Sequence, residues 1–203
     1  MVKLLIATNN PGKLREYLEI LADLPVELVY PADVGLELDP EETGSTFEEN
    51  AVIKAHTFAQ ASGLLTLADD SGLEIDALNG EPGVYSARYG NTAKKDHAGR
   101  YRLVLKKLVN VPLEKRTARF KCVVALATSQ QLVGTAEGSV EGIITLAPKG
   151  EGGFGYDPIF FVPEFERTMA ELTSDEKNSI SHRSRAVQTA IPMIERECEK
   201  TEG

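Results

Sequence analysis

The chain of 203 residues carries 22 Lys and Arg against 31 Asp and Glu, a formal net charge of −9, with 42% hydrophobic and 26% charged residues. This fits one well-packed domain, or one core with a smaller lobe, and argues against a nucleic-acid binder that works through a broad basic face. An anionic small substrate stays open, because screening confines surface charge effects to about 8 Å at physiological salt. No stretch approaches the roughly 20 apolar residues of a membrane span. The amino terminus lacks the basic-then-apolar layout of a signal peptide, so a cytoplasmic protein is expected. Two cysteines, Cys122 and Cys198, offer neither metal spacing nor a disulfide framework.

Lys3 to Ala7 reads as a short strand, and Leu14, Tyr17, Leu18 and Leu21 follow at helical spacing. Between them lies Thr8-Asn9-Asn10-Pro11-Gly12-Lys13. Asn10 is a good N-cap and Pro11 a good first helical residue, so the helix should begin with several backbone N–H groups unpaired and pointing outward. Lys13, at the third helical position, opposes the helix dipole, which makes sense if an external anion is expected there. A capped turn with a solvated lysine is the alternative. Val26 to Tyr30 reads as a second strand, and Pro31 to Gly44 as an acidic loop. Thr46 and Glu49 have capping-box spacing and open a small-residue helix closed by Gly63, with Ala51, Ala55, Phe58 and Ala59 on one side. Asn50 and Lys54 share a neighbouring face, as functional groups or as an exposed polar pair.

Leu64 to Ala68 is a buried-type strand that runs into Asp69-Asp70-Ser71-Gly72, with a further strand from Leu73 to Leu78. Two adjacent carboxylates are costly to hold without a cation, and magnesium, bound by one or two carboxylates with phosphate oxygens, is the usual answer; an Asp-rich turn is the alternative. Asn79 to Asn91 is a long loop carrying Arg88. A helix over Lys94 to Leu108 should turn Tyr101, Val104, Leu105 and Leu108 inward. Thr117 to Thr128 and Leu132 to Leu146 form an antiparallel hairpin, with Phe120, Cys122, Val124 and Leu126 on one face. A glycine-rich loop, Lys149 to Pro158, follows; Phe154 and Tyr156 there offer flat faces on which a base could stack. Leu172 to Arg185 packs Lys177, His182, Arg183 and Arg185 into a short polar segment. In the last helix Val187, Ala190, Ile191 and Ile194 recur at helical spacing, with a kink or break expected at Pro192. Without repeat or linker, residues 1–203 read as a single, bilobed domain.

Six blocks occur in order: TNNPGK, TFEENAVIKA, LADDSGL, PGVYSARY, GGFGYDPIF and ELTSDEKNSISHR. Through them the chain resembles the inosine/xanthosine triphosphate pyrophosphatase family, house-cleaning enzymes that remove deaminated purine nucleotides, over almost its whole length. The resemblance implies an α/β fold with a long mixed sheet flanked by helices, two lobes with a central substrate cleft, and a homodimer. It implies Mg²⁺-dependent cleavage of ITP, dITP or XTP between the α and β phosphates. The TNNPGK block, Thr8, Asn9, Asn10, Pro11, Gly12 and Lys13, would hold the phosphates, with Lys54 reaching them from the facing helix. Asp70 would be the general base and a metal ligand, with Asp69 and Glu42 helping to hold the metal. Ser71 would touch substrate, Phe154, Gly155, Tyr156 and Asp157 would frame the base, and Lys177, His182 and Arg183 would meet its edge.

Those roles agree with the chemistry. A triphosphate needs fixed cations and Mg²⁺ to offset charge as the bond to pyrophosphate breaks, and a carboxylate can activate water within its reach. Lysine, histidine and arginine can donate to a 6-oxo purine, whereas adenine presents a 6-amino donor there. A pyrophosphatase for another modified nucleotide, methylated or pyrimidine, and a non-catalytic nucleotide-binding regulator are the rival readings.

Overall fold

A computed structural model describes residues 1–93 and 96–202. Lys94 and Lys95, the expected start of the third helix, lie outside the described residues. The chain divides into two compact units: residues 1–70, 122–138 and 182–203, and residues 71–121 and 139–181. Seven strands form one mixed sheet in the order β2-β1-β3-β4-β5-β6-β7. They are β1 (Val2–Ile6), β2 (Val26–Val29), β3 (Leu65–Ile75), β4 (Thr117–Ala127), β5 (Leu132–Ile144), β6 (Phe160–Val162) and β7 (Arg167–Thr168). Three of them, β3, β4 and β5, contribute residues to both units.

In the first unit β1 pairs in parallel with both β2 and β3. Helix α1 (Pro11–Ile20) starts on the Asn10 cap as expected, and α2 (Phe47–Ser62) on a reciprocal Thr46–Glu49 capping box, each cap contributing about 1 kcal/mol. Leu4, Ile6, Leu67, Cys122, Val124 and Leu126 form one core with Tyr17 and Leu21 of α1 and Ala186, Val187, Ala190 and Ile194 of α5 (His182–Glu202). Val123, Ala125 and Ala127 are buried as well, so this half of β4 is covered on both sides. Leu18, expected inward on α1, is exposed, and Glu16 is buried in its place because it pairs with Arg183. Helix α5 continues through Pro192 without the expected break: Ile194 beyond it stays buried in the core, holding the second half in place.

In the second unit β5 pairs antiparallel with β6, and β6 with β7. Its core joins Leu73, Ile75, Phe120, Ile144, Ile159, Phe160 and Tyr156 to Val104 and Leu108 at the end of α3 (His97–Lys107). Tyr101 and Leu105 pack against that core only partly buried. The expected loop Asn79 to Asn91 is wound into 3₁₀ turns within Gly83–Asn91, broken by a kink at Arg88, Tyr89 and Gly90. Helix α4 (Ser174–Ile180) opens on a Thr173–Glu176 capping box. No helix among the described residues is long and apolar enough to cross a membrane.

Candidate active site

Asn10, four residues beyond the end of β1, caps α1. Its Oδ1 accepts from the backbone N–H of Gly12 at 2.9 Å and of Lys13 at 3.3 Å, and its own N–H donates to Thr8 Oγ1 at 3.2 Å. This corrects the expectation of outward-pointing, unpaired amides, because the cap itself consumes two of them. Asn9 donates from Nδ2 to Leu38 O at 3.2 Å, tying the turn to the acidic loop. Lys13 instead turns to Asp69, with Nζ 2.9 Å from Oδ2.

Asp69 and Asp70 do not form a turn. Strand β3 runs straight through Ala68-Asp69-Asp70-Ser71, so the two expected strands are one. Successive side chains of a strand point to opposite faces, and the two carboxylates accordingly have separate partners. Asp69 Oδ2 meets Lys13, the Arg183 guanidinium at 3.2 and 3.3 Å, and the Cys122 thiol at 3.7 Å. Arg183 also binds the buried Glu16. Asp70 accepts from Asn50 Nδ2 at 3.1 Å and from Lys54 Nζ at 3.4 Å, and Lys54 reaches Glu42 Oε1 at 2.7 Å.

The two carboxyls are driven apart electrostatically. Burial would raise Asp69, but the Lys13 ammonium and the Arg183 guanidinium outweigh it and hold the group well below the usual carboxylate range. Burial lifts Asp70 above that range against the pull of Lys54 and Lys13, and Glu42 adds to the rise. Neighbouring carboxyls with opposite shifts are the pattern by which one is kept as a fixed charge and the other is tuned to exchange a proton. Burial opposes the charge on Lys54, yet Asp70, Asp69 and Glu42 raise it, so it stays an ammonium.

Among the described residues, no three His, Cys, Asp or Glu side chains gather as a ready metal cage. Asp70 and Glu42 nevertheless face one cation, the Lys54 ammonium, and Asp69 Oδ1 is buried with no hydrogen-bond donor. Mg²⁺ asks for one or two carboxylates and takes its remaining oxygens from phosphate and water, so the donor set fits an ion that shares its shell with a polyphosphate.

In the second unit the glycine-rich loop is organised by Asp157. Its Oδ2 accepts from the Phe154 N–H at 2.9 Å and from Lys177 Nζ at 2.7 Å, and the carboxylate is almost fully buried. Gly153 has φ +67°, and a Cβ there would collide with that carboxylate. Phe154 is half-buried with the Lys177 ammonium 4.7 Å from its ring centroid. Tyr156, expected to offer a stacking face, is instead buried in the core, its hydroxyl donating to Ser86 O at 2.8 Å. An aromatic ring in a glycine-rich loop reads as exposed until its hydroxyl finds a carbonyl partner 70 residues away in sequence.

The structure thus brings Thr8, Asn10, Lys13, Glu42, Lys54, Asp69, Asp70 and Arg183 together in the first unit, which also holds His182, and Phe154, Gly155, Asp157 and Lys177 together in the second, which begins at Ser71. Three participants were not assigned a role from the sequence: Glu16, Asn50 and Cys122. Glu16 and Cys122 give no signal, because an acid on an amphipathic helix and a thiol in an apolar strand read as surface and core. Asn50 did give one, lying four residues before Lys54 on the same helix face.

The architecture and this constellation define an α/β protein built around a lysine and carboxylate site, and the sequence profile of the Ham1 family matches residues 4–193. The chain belongs to that family. It is 49% identical to the dITP/XTP pyrophosphatase of Bacillus subtilis, covering 96% of this chain and 98% of that one. It is 50% identical to a dITP/XTP pyrophosphatase of Thermus thermophilus, covering 94% and 90%. Among solved structures, a HAM1 protein from Coxiella burnetii superposes with a TM-score of 0.85 at 43% identity, covering 97% of this chain and all of that one. The Staphylococcus aureus Ham1 protein gives 0.84 at 41% identity, covering 96% and 99%.

Proposed function

We propose that this chain hydrolyses deaminated purine nucleoside triphosphates, dITP, ITP and XTP, to the nucleoside monophosphate and pyrophosphate. The observation that carries the reading is Asp70: a buried carboxyl raised above its usual range, held between an amide and an ammonium, beside a second carboxyl fixed in the opposite state. Asp70 takes the proton of the attacking water. Lys13 and Lys54 supply positive charge to the phosphates, with Thr8, Asn9, Asn10, Pro11 and Gly12 shaping the turn that receives them. Direct attack by water needs no enzyme nucleophile, and preorganised charge carries most of such a reaction. Asp70 and Glu42, with help from Asp69, would hold Mg²⁺, which would supply further charge neutralisation on the phosphate oxygens.

Phe154 stacks on the base, Gly155, Tyr156 and Asp157 hold the loop that carries it, and Ser71 touches the substrate. Lys177 and His182 donate to a 6-oxo group, which ranks a 6-oxo purine above adenine, since a donor facing the 6-amino group would stay unpaired. Arg183, expected at the same edge, is committed to Asp69 and Glu16. A homodimer in the cytoplasm that binds neither nucleic acid nor membrane completes the proposal. The deciding experiment incubates the protein with dITP, ITP, XTP, dGTP and ATP, with and without Mg²⁺, and identifies the products. Monophosphate plus pyrophosphate from the 6-oxo, deaminated substrates supports the reading; equal turnover of ATP and ITP, or dITP bound but uncut, overturns it.

A further inference from the structure

Asn50 was expected beside Lys54 as a functional group or as half of an exposed polar pair, and its side chain is completely buried. An amide carries a donor and an acceptor on one short stem, and here both are used. Nδ2 donates to Asp70 Oδ2 at 3.1 Å, and Oδ1 accepts from the Gly44 N–H at 2.8 Å. Which end faces which partner is forced, because an ionised carboxylate only accepts and a backbone N–H only donates. Gly44 lies in the segment that carries Glu42, and a Cβ there would sit 2.7 Å from Asn50 Oδ1 and 2.6 Å from Glu49 Cβ, so only glycine allows this approach. One helical turn later Lys54 binds the other oxygen of Asp70 and the carboxylate of Glu42. Asn50 and Lys54 therefore hold the same two elements at two points each.

We propose that Asn50 is a positioning residue of the reaction: its amide, itself held in orientation by the Gly44 N–H, pins Asp70 Oδ2 and leaves Oδ1 on the Lys54 side as the oxygen that meets water. The proposal rests on Asp70 as the base. Aspartate at this position keeps the acceptor for Gly44 but has no donor for Asp70, and alanine has neither, so the two halves of the role can be separated. A misplacement of about 1 Å in a reacting group costs on the order of 10²-fold in rate.

The test compares Asn50→Ala, Asn50→Asp, Asp70→Asn and the double variant Asn50→Ala/Asp70→Asn, reading kcat and KM for dITP and the melting temperature of each. Expected are a fall in kcat of about 10²-fold for both Asn50 variants with KM within about threefold of wild type. The double variant should turn over no more slowly than Asp70→Asn alone, since Asn50 acts through a group already removed. Near-native kcat for Asn50→Asp, or a further fall in the double variant equal to that of Asn50→Ala in wild type, makes Asn50 a structural clamp and overturns the proposal. So does failure of both Asn50 variants to fold. If Asp70→Asn itself keeps near-native kcat, the base assignment falls, and this inference with it.

Discussion

Asp70 combines a catalytic assignment with a thermodynamic cost, and the two can be measured on one variant. A folded-state pKa above the unfolded value means that the ionised carboxylate is held less well in the folded chain. The cost is fully present above the folded pKa, shrinks as pH falls through it, and is gone below the unfolded value of about 3.9. Asp70→Asn keeps the shape and an acceptor for Asn50 while removing the charge. It should lower turnover by about 10²–10⁴-fold, yet melt higher than wild type at pH 7 in metal-free buffer, the gap closing below pH 4. Thermal unfolding at both pH values checks the sign; a lower melting temperature at pH 7 would contradict the burial that raises this carboxyl. Asp69 has the opposite sign: its depressed pKa contributes stability that is complete above the unfolded value and is lost only as pH falls toward the folded one.

At the scale of elements, β3 shows what the sequence could and could not reveal. The apolar run Leu64 to Ala68 reads as a strand from composition, but Asp-Asp-Ser-Gly reads as its end, since Asp, Ser and Gly favour turns. Tertiary charge reverses that preference: each Asp finds a cation on its own face, so the strand can continue through both. The capping residues Asn10, Thr46 and Gly63 were legible because a cap is a local bargain between neighbours in sequence. The pairing of Glu16 with Arg183 was not, because 167 residues separate them and neither has a local reason to be buried. Their pairing joins α1 to α5, so Arg183→Ala leaves two carboxylates buried with less compensation. It should destabilise the chain by about 3–5 kcal/mol, a fall of roughly 10 °C in melting temperature. The ITP-to-ATP rate ratio of the same variant tests the base-edge role expected from the sequence; a changed ratio at unchanged stability would favour that role.

For the whole molecule, the candidate residues fall into two chemically distinct sets, each organised inside its own unit: lysines and carboxylates in the first, and in the second an aromatic ring with one buried ion pair. The family blocks of the sequence named nearly all of these residues; what they could not convey is that Lys13, Lys54 and Lys177 already have carboxylate partners in the folded chain. Substitutions in the two sets should separate in kinetics. Lys13→Ala should weaken both dITP and inorganic pyrophosphate by about 10- to 100-fold, as expected for losing a charge-assisted hydrogen bond. Phe154→Ala should raise KM for dITP while leaving inhibition by pyrophosphate unchanged. Competition assays on both variants check this, and a loss of pyrophosphate inhibition in Phe154→Ala equal to that in Lys13→Ala would dissolve the distinction.

The lysine partners of the three carboxylates have a bearing on endurance. Asp69, Asp70 and Glu42 are already neutralised from within by Lys13, Arg183 and Lys54, so folding has no need of an external ion to complete the charge balance of this core. Prolonged chelation with EDTA should therefore silence turnover without shifting the melting temperature, and added Mg²⁺ should restore activity at once, with no refolding lag. The fold of this core would then outlast the loss of its ion, and the two properties, endurance and turnover, would respond to metal separately.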